Sequence, residues 1–140
     1  MNKFITEVIK EIKIFYDGIG SIHCPVLKTD IVFNRYGWNH ILYKGNGHRR
    51  GEKDIRNRLR IFKDVPDVIK CCKWFSPPRT MTNKVGVNER NAEYCELYHT
   101  FKYWFKTEHV TVVIRKFDNS EYHYYSLRSD VEWLKSKKAL

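Results

Sequence analysis

Along residues 3–16 the apolar positions Ile5, Val8, Ile9, Ile12 and Tyr16 recur at helical spacing, while Lys3, Glu7, Lys10 and Glu11 fall off the stripe. The spacing predicts an amphipathic helix that Asp17-Gly18 and Gly20 terminate. Residues 21–29, with Pro25, read as a connector, and Ile31-Val32-Phe33 as a short strand. Gly37 precedes a short helix from Trp38 to Tyr43, and residues 44–51, with three glycines, form a basic loop. Ile55, Leu59 and Phe62 then repeat at i, i+4 and i+7, with Asp54 near the start, where a negative charge is favoured. Arg56 and Arg60 point away from that stripe and Arg58 lies on its border. Pro66 breaks or restarts the helix, leaving a further helical turn at 67–70.

Beyond this point the period changes. Residues 76–91 are the longest loop-like stretch, and the aromatic-rich 92–105 read as a strand. Residues 109–117, with β-branched Thr111, Val112, Val113 and Ile114, form a second strand. A turn at 118–120 leads to its hairpin partner at 122–127. A three-residue loop sets Arg115 opposite His123 and a four-residue loop sets it opposite Tyr124; a slip of one residue exchanges the faces. Ser129 or Asp130 caps a last helix that runs through Lys135, Lys137 and Lys138. This order predicts a single α+β domain over 1–140. Its N-terminal helices pack on a small antiparallel sheet of about four strands, followed by a C-terminal helix.

The chain has 140 residues, room for one core. Its apolar runs are too short to span a bilayer, and Glu7 falls where a signal peptide needs apolar residues. Cys24, Cys71, Cys72 and Cys95 form no C-x-x-C pair, so reduced thiols and a cytoplasmic location are expected, without a metal or other cofactor. The net charge of +10 is concentrated: residues 31–90 carry 14 basic and five acidic side chains. A localised positive field of this kind points to a polyanion, most often nucleic acid. Within it Lys44, His48, Arg49, Arg50, Arg56 and Arg60 are the candidate RNA contacts. Ten of the 21 aromatic residues lie between Tyr94 and Tyr125, where an open sheet face would offer platforms for unpaired bases.

RNA can be cut when its own 2′-OH attacks the adjacent phosphorus, given a base, an acid and cations on the phosphate. His40, Arg58, Arg115, Tyr124 and Ser126 supply side chains of those types. The segments Ile31 to Asn34, Gly37-Trp38-Asn39-His40-Ile41, Arg58-Leu59, Val110 to Arg115 and His123-Tyr124-Tyr125-Ser126-Leu127 resemble the Barnase–EndoU–Colicin–RelE nuclease superfamily. The likeness is greatest to its phage and polymorphic-toxin branch. It covers residues 31–127 as a nuclease-like core and leaves the helix within residues 1–20 outside.

The resemblance implies metal-independent RNA cleavage to a 2′,3′-cyclic phosphate by a toxin or phage-encoded nuclease. His40 would be general acid or base, Arg58 and Arg115 would hold the phosphate, and Ser126 would orient the substrate. Barnase itself uses a Glu base, and Glu93, Glu96 and Glu121 all read as surface residues, which leaves the base unassigned. RNA, with tRNA among the candidates, and a cognate immunity or antitoxin protein are the partners implied. The alternative is a non-catalytic module for RNA or other single strands that uses the same basic segment and aromatic sheet.

Overall fold

The computed structural model describes residues 3–85, 88–118 and 120–134. The elements are α1 (Lys3–Ile19), β1 (Ser21–Cys24), β2 (Thr29–Val32), α2 (Arg35–Leu42), α3 (Glu52–Phe62), α4 (Val65–Cys71), β3 (Trp74–Phe75), β4 (Arg79–Val85), β5 (Asn88–Lys102), β6 (Lys106–Phe117) and β7 (His123–Trp133). Ile5, Ile12 and Tyr16 of α1 are buried, as the stripe requires, and Gly20 ends the helix with φ +69°. The Asn34 side chain caps α2 by accepting the Tyr36 N–H. Pro66 sits in the first turn of α4, where its missing N–H costs nothing.

The domain is α+β, but the sheet is neither four-stranded nor purely antiparallel. Seven strands form one mixed sheet in the order β1-β2-β7-β6-β5-β3, with β4 also on β5. The β2–β7 pair, Val32 opposite His123, is parallel; the other pairs are antiparallel. Three segments account for the difference. The expected connector at 21–29 is the β1–β2 hairpin, its turn closed by Lys28 in the left-handed region at φ 54°. The expected loop at 76–91 is an edge. It holds β4 and the start of β5, and Pro77-Pro78, lacking N–H groups, separate β4 from β3, which precedes it along β5. The polar makeup of β4 suits an exposed edge and hides its strand character.

The third segment is the expected C-terminal helix. Residues 129–133 instead continue β7, pairing from Val110–Ser129 to Lys106–Trp133. The backbone groups of β6 need partners over this length, and that requirement overrides a local cap signal. Lys135, Lys137 and Lys138 lie outside the described residues. Among the described residues no helix is long and apolar enough to cross a membrane.

The main core lies between the helices and one sheet face, where Ile55, Leu59 and Phe62 of α3 meet Leu97, Val112, Ile114, Tyr124 and Leu127. A smaller cluster on the other face joins Ala92, Tyr94 and Phe117 to Tyr36, Val113 and Tyr125. α2 touches both: Trp38, Ile41 and Leu42 enter the main core, while Tyr36 packs on the other side. Gly37 permits that position. A Cβ there would stand 2.5 Å from the Tyr124 carbonyl oxygen and 2.6 Å from the Tyr16 hydroxyl.

Candidate active site

The register between β6 and β7 changes once. Arg115 pairs with His123 and Ile114 with Tyr124, but Val113 pairs with Ser126, leaving Tyr125 as the extra residue of a β-bulge. Both registers allowed by the hairpin are therefore present, one on each side of the bulge. Tyr124 stays in the main core and Tyr125 turns to the opposite face, against His40 of α2, with ring centroids 4.4 Å apart.

His40, Arg115 and Tyr125 line a cleft of about 390 Å³ with Tyr36, Asn39, Tyr43 and Lys44; the backbone of Gly45 and Gly47 forms part of its lip. Tyr36, Asn39, His40 and Tyr43 recur at i, i+3, i+4 and i+7, so one face of α2 and its C-terminal end make one wall. Tyr125 and Arg115 make the other.

Arg115 is 6% exposed and carries no carboxylate partner among the described residues. Its Nε donates to His123 Nε2 at 3.1 Å. Its guanidinium carbon lies 4.0 Å from the centroid of Tyr125, 4.5 Å from Phe117 and 5.2 Å from Tyr36. Aromatic faces compensate in part for the lost hydration of the cation, yet a buried cation lacking an anion is expensive. An anionic ligand in the cleft would supply the missing counter-charge.

Arg50 Nε donates to the His40 carbonyl oxygen at 2.9 Å, and its Nη2 lies 3.4 Å from His40 Nδ1. A contact that long does not fix which ring nitrogen holds the proton. Asp54 holds Arg50 and Arg58 together, at 3.1 and 3.0 Å. Arg58 also donates to the Leu127 carbonyl oxygen at 3.2 Å, tying α3 to β7. Burial, followed by the charges of Arg50, Arg58 and Arg115, pushes the His40 imidazole down to about 4. Burial and Arg115 push His123 to about 4 as well. Both rings are neutral near pH 7. Burial pulls the Asp54 carboxyl upward, but Arg58 and Arg50 outweigh it and hold it below its usual range.

The sequence-derived residues separate into groups. His40 and Arg115 meet in the cleft, and Lys44 lies on its rim. Arg58 was expected on the phosphate but is occupied by Asp54 and Leu127, and acts on His40 through its charge. Tyr124 is sealed at 0% exposure with its hydroxyl unpartnered among the described residues, so it cannot reach a substrate. Ser126 is half-buried on β7 opposite Val113, on the same sheet face as Tyr125, and does not line the cleft.

The basic segment separates in the same way. Arg50 is a buried brace for His40 rather than a surface contact. Arg49 packs on Tyr43 at 5.5 Å and donates to its hydroxyl. His48 is exposed in the turn after the glycines and does not line the cleft. Arg56 and Arg60 line a separate depression along α3, paired with Glu52 and with buried Glu108. Tyr36 and Tyr125 are lining residues that the sequence does not single out, and His123 adjoins Arg115. In the run His123-Tyr124-Tyr125 only the bulge decides which of the consecutive aromatics faces the cleft.

Comparison with protein-family models, with curated proteins and with solved structures returns no match.

Proposed function

We propose that the chain is an endoribonuclease that cleaves RNA by attack of the 2′-OH on the adjacent phosphorus, in keeping with the nuclease superfamily its motifs resemble. The observation that carries this reading is Arg115. It is a nearly buried guanidinium without a carboxylate partner among the described residues, opening on the cleft that also holds a neutral imidazole. Arg115 binds a non-bridging phosphate oxygen and stabilises the charge that builds at phosphorus. Neutral His40 takes the 2′-OH proton as the 2′-oxygen bonds to phosphorus and the bond to the 5′-oxygen breaks. The imidazolium formed beside Arg50 and Arg58 is a strong acid and returns that proton to the departing 5′-oxygen. The products are a 2′,3′-cyclic phosphate and a 5′-hydroxyl.

Two cationic braces support this proton transfer. Arg50 holds α2 at the His40 carbonyl, and Asp54 keeps Arg50 and Arg58 in place. The test is incubation of the purified chain with single-stranded RNA in EDTA. Cyclic-phosphate ends, and resistance of a strand with 2′-deoxyribose at the scissile position, support the reading. Intact RNA across the pH range contradicts it and leaves the cleft as a binding module for single strands.

A further inference from the structure

A second cavity, of about 290 Å³, shares Tyr36 with the first. Its wall includes Tyr36, Phe117 and His123, and its rim carries Arg90, Ser120 and Glu121. Tyr36 lines both cavities, and Arg115, which lines the first, sits against rings of each: Tyr125 of the first, Phe117 of the second and Tyr36 of both. The cavities share Tyr36, and the hydrogen-bonded Arg115 and His123 line one cavity each. A strand that occupied both cavities would run close to the guanidinium. Arg115 is placed for a phosphate between two nucleosides rather than for a terminal one.

Each side offers a surface for a base. In the first cavity Tyr43 is 38% exposed and braced by Arg49. In the second, the Arg90 guanidinium carbon lies 4.1 Å from the centroid of Phe117, and its side chain is 39% exposed. A planar guanidinium already stacked on a ring can take a base on its outer face. Asp118 holds Arg90 at 3.6 Å.

We infer that the second cavity is a nucleoside subsite, so that the protein binds single-stranded RNA as a two-nucleoside step, one base at Tyr43 and the other at Arg90, with the joining phosphate on Arg115. This rests on the ribonuclease reading for the identity of the ligand, but it concerns binding and is tested without turnover. The probes are a dinucleoside monophosphate whose 5′-side sugar is 2′-deoxy, which cannot be cut by this route, and the mononucleotide of equal charge, the matching 2′-deoxynucleoside 3′-(methyl phosphate). Their affinities for the wild-type chain and for Arg90→Ala, Arg90→Lys and Tyr43→Ala are measured by calorimetry, with thermal unfolding as the control for folding.

The dinucleotide binds wild type about tenfold more tightly than the mononucleotide, the order expected for one added stacked base. Arg90→Ala removes that advantage and leaves mononucleotide affinity unchanged. Arg90→Lys keeps the charge but recovers little of it, and Tyr43→Ala weakens both ligands. Equal affinity of the two ligands for wild type overturns the inference. So does an equal loss for both in Arg90→Ala, or full recovery with Lys, since either marks a general effect of charge. If the dinucleotide pattern holds while RNA is never cut, the subsite stands and the ribonuclease reading fails.

Discussion

Arg115 donates its Nε–H to Nε2 of His123 across 3.1 Å, on adjacent strands and directly opposite in register. The bond requires His123 to be neutral with its proton on Nδ1. It orients the guanidinium and does not neutralise it. A carboxylate at this position would neutralise Arg115 and compete with a phosphate for it, whereas imidazole leaves the full charge available. In the proposed reaction His123 would act as a positioning residue.

His123→Asp is expected to weaken binding of non-cleavable RNA, because the new carboxylate neutralises Arg115. His123→Gln, which retains a hydrogen-bond acceptor, keeps most of the affinity. The salt dependence distinguishes this from general damage: the Asp variant loses about one phosphate equivalent in the slope of log K against log salt. Unchanged affinity and slope in His123→Asp would show that Arg115 does not meet the phosphate.

The pH dependence follows from the depressed imidazoles. An unfolded histidine binds its proton from about pH 6.5 downward, whereas His40 and His123 in the folded chain resist it until about 4. The unfolded chain therefore binds more protons between these values, and stability is lost as pH falls from 6.5 toward 4. Urea midpoints at pH 7 and pH 5 measure this, and His40→Ala reduces the difference. The inflection of kcat/KM for the free protein is expected at about 4, below the ordinary histidine value near 6.5. A bound phosphodiester favours the imidazolium, so the inflection in kcat lies higher than that in kcat/KM.

Tyr124→Phe is expected to leave RNA cleavage unchanged. It removes a fully buried hydroxyl that lacks a partner among the described residues and retains the ring, which packs on Tyr16, Phe33 and Phe62. Stability rises or falls by no more than about 1 kcal/mol. A large loss of rate at unchanged stability would return Tyr124 to the chemistry.

Much of the fold is legible in local pattern. The α1 stripe, the α3 stripe with Arg58 on its border, the restart at Pro66 and the β6–β7 hairpin follow from periodicity and turn chemistry. The remaining elements depend on partners distant in sequence. β4 is recognisable as a strand only because β5 lies beside it, and Ser129 to Trp133 extend because β6 does. At the site, His40 and Arg115 were legible as types and positions. The substitution of Tyr125 for Tyr124 depends on one bulged residue, which no periodicity contains. Counting charges does not show that Arg60 pairs with Glu108, 48 residues away, or that Arg50 turns in to the His40 carbonyl.

The two outlying basic residues separate binding from stability. Lys44→Ala, on the cleft rim, weakens RNA binding at unchanged thermal stability. Arg60→Ala leaves affinity nearly unchanged but costs about 1–3 kcal/mol of stability, because Glu108, 1% exposed, loses its closest cationic partner. Paired RNA-titration and urea-denaturation curves check both. The reverse assignment would place the polyanion surface along α3 instead of at the cleft.

The most direct test of the account is the single-turnover cleavage rate of RNA by wild type, His40→Ala and Arg115→Ala, each measured beside its affinity for a non-cleavable strand. His40→Ala is expected to slow cleavage by about 10²–10⁴-fold with affinity nearly unchanged. Arg115→Ala loses both rate and affinity, because the guanidinium contacts the phosphate in the ground state and in the transition state. Cleavage by His40→Ala at the wild-type rate, in a variant that folds and binds normally, would contradict the central claim.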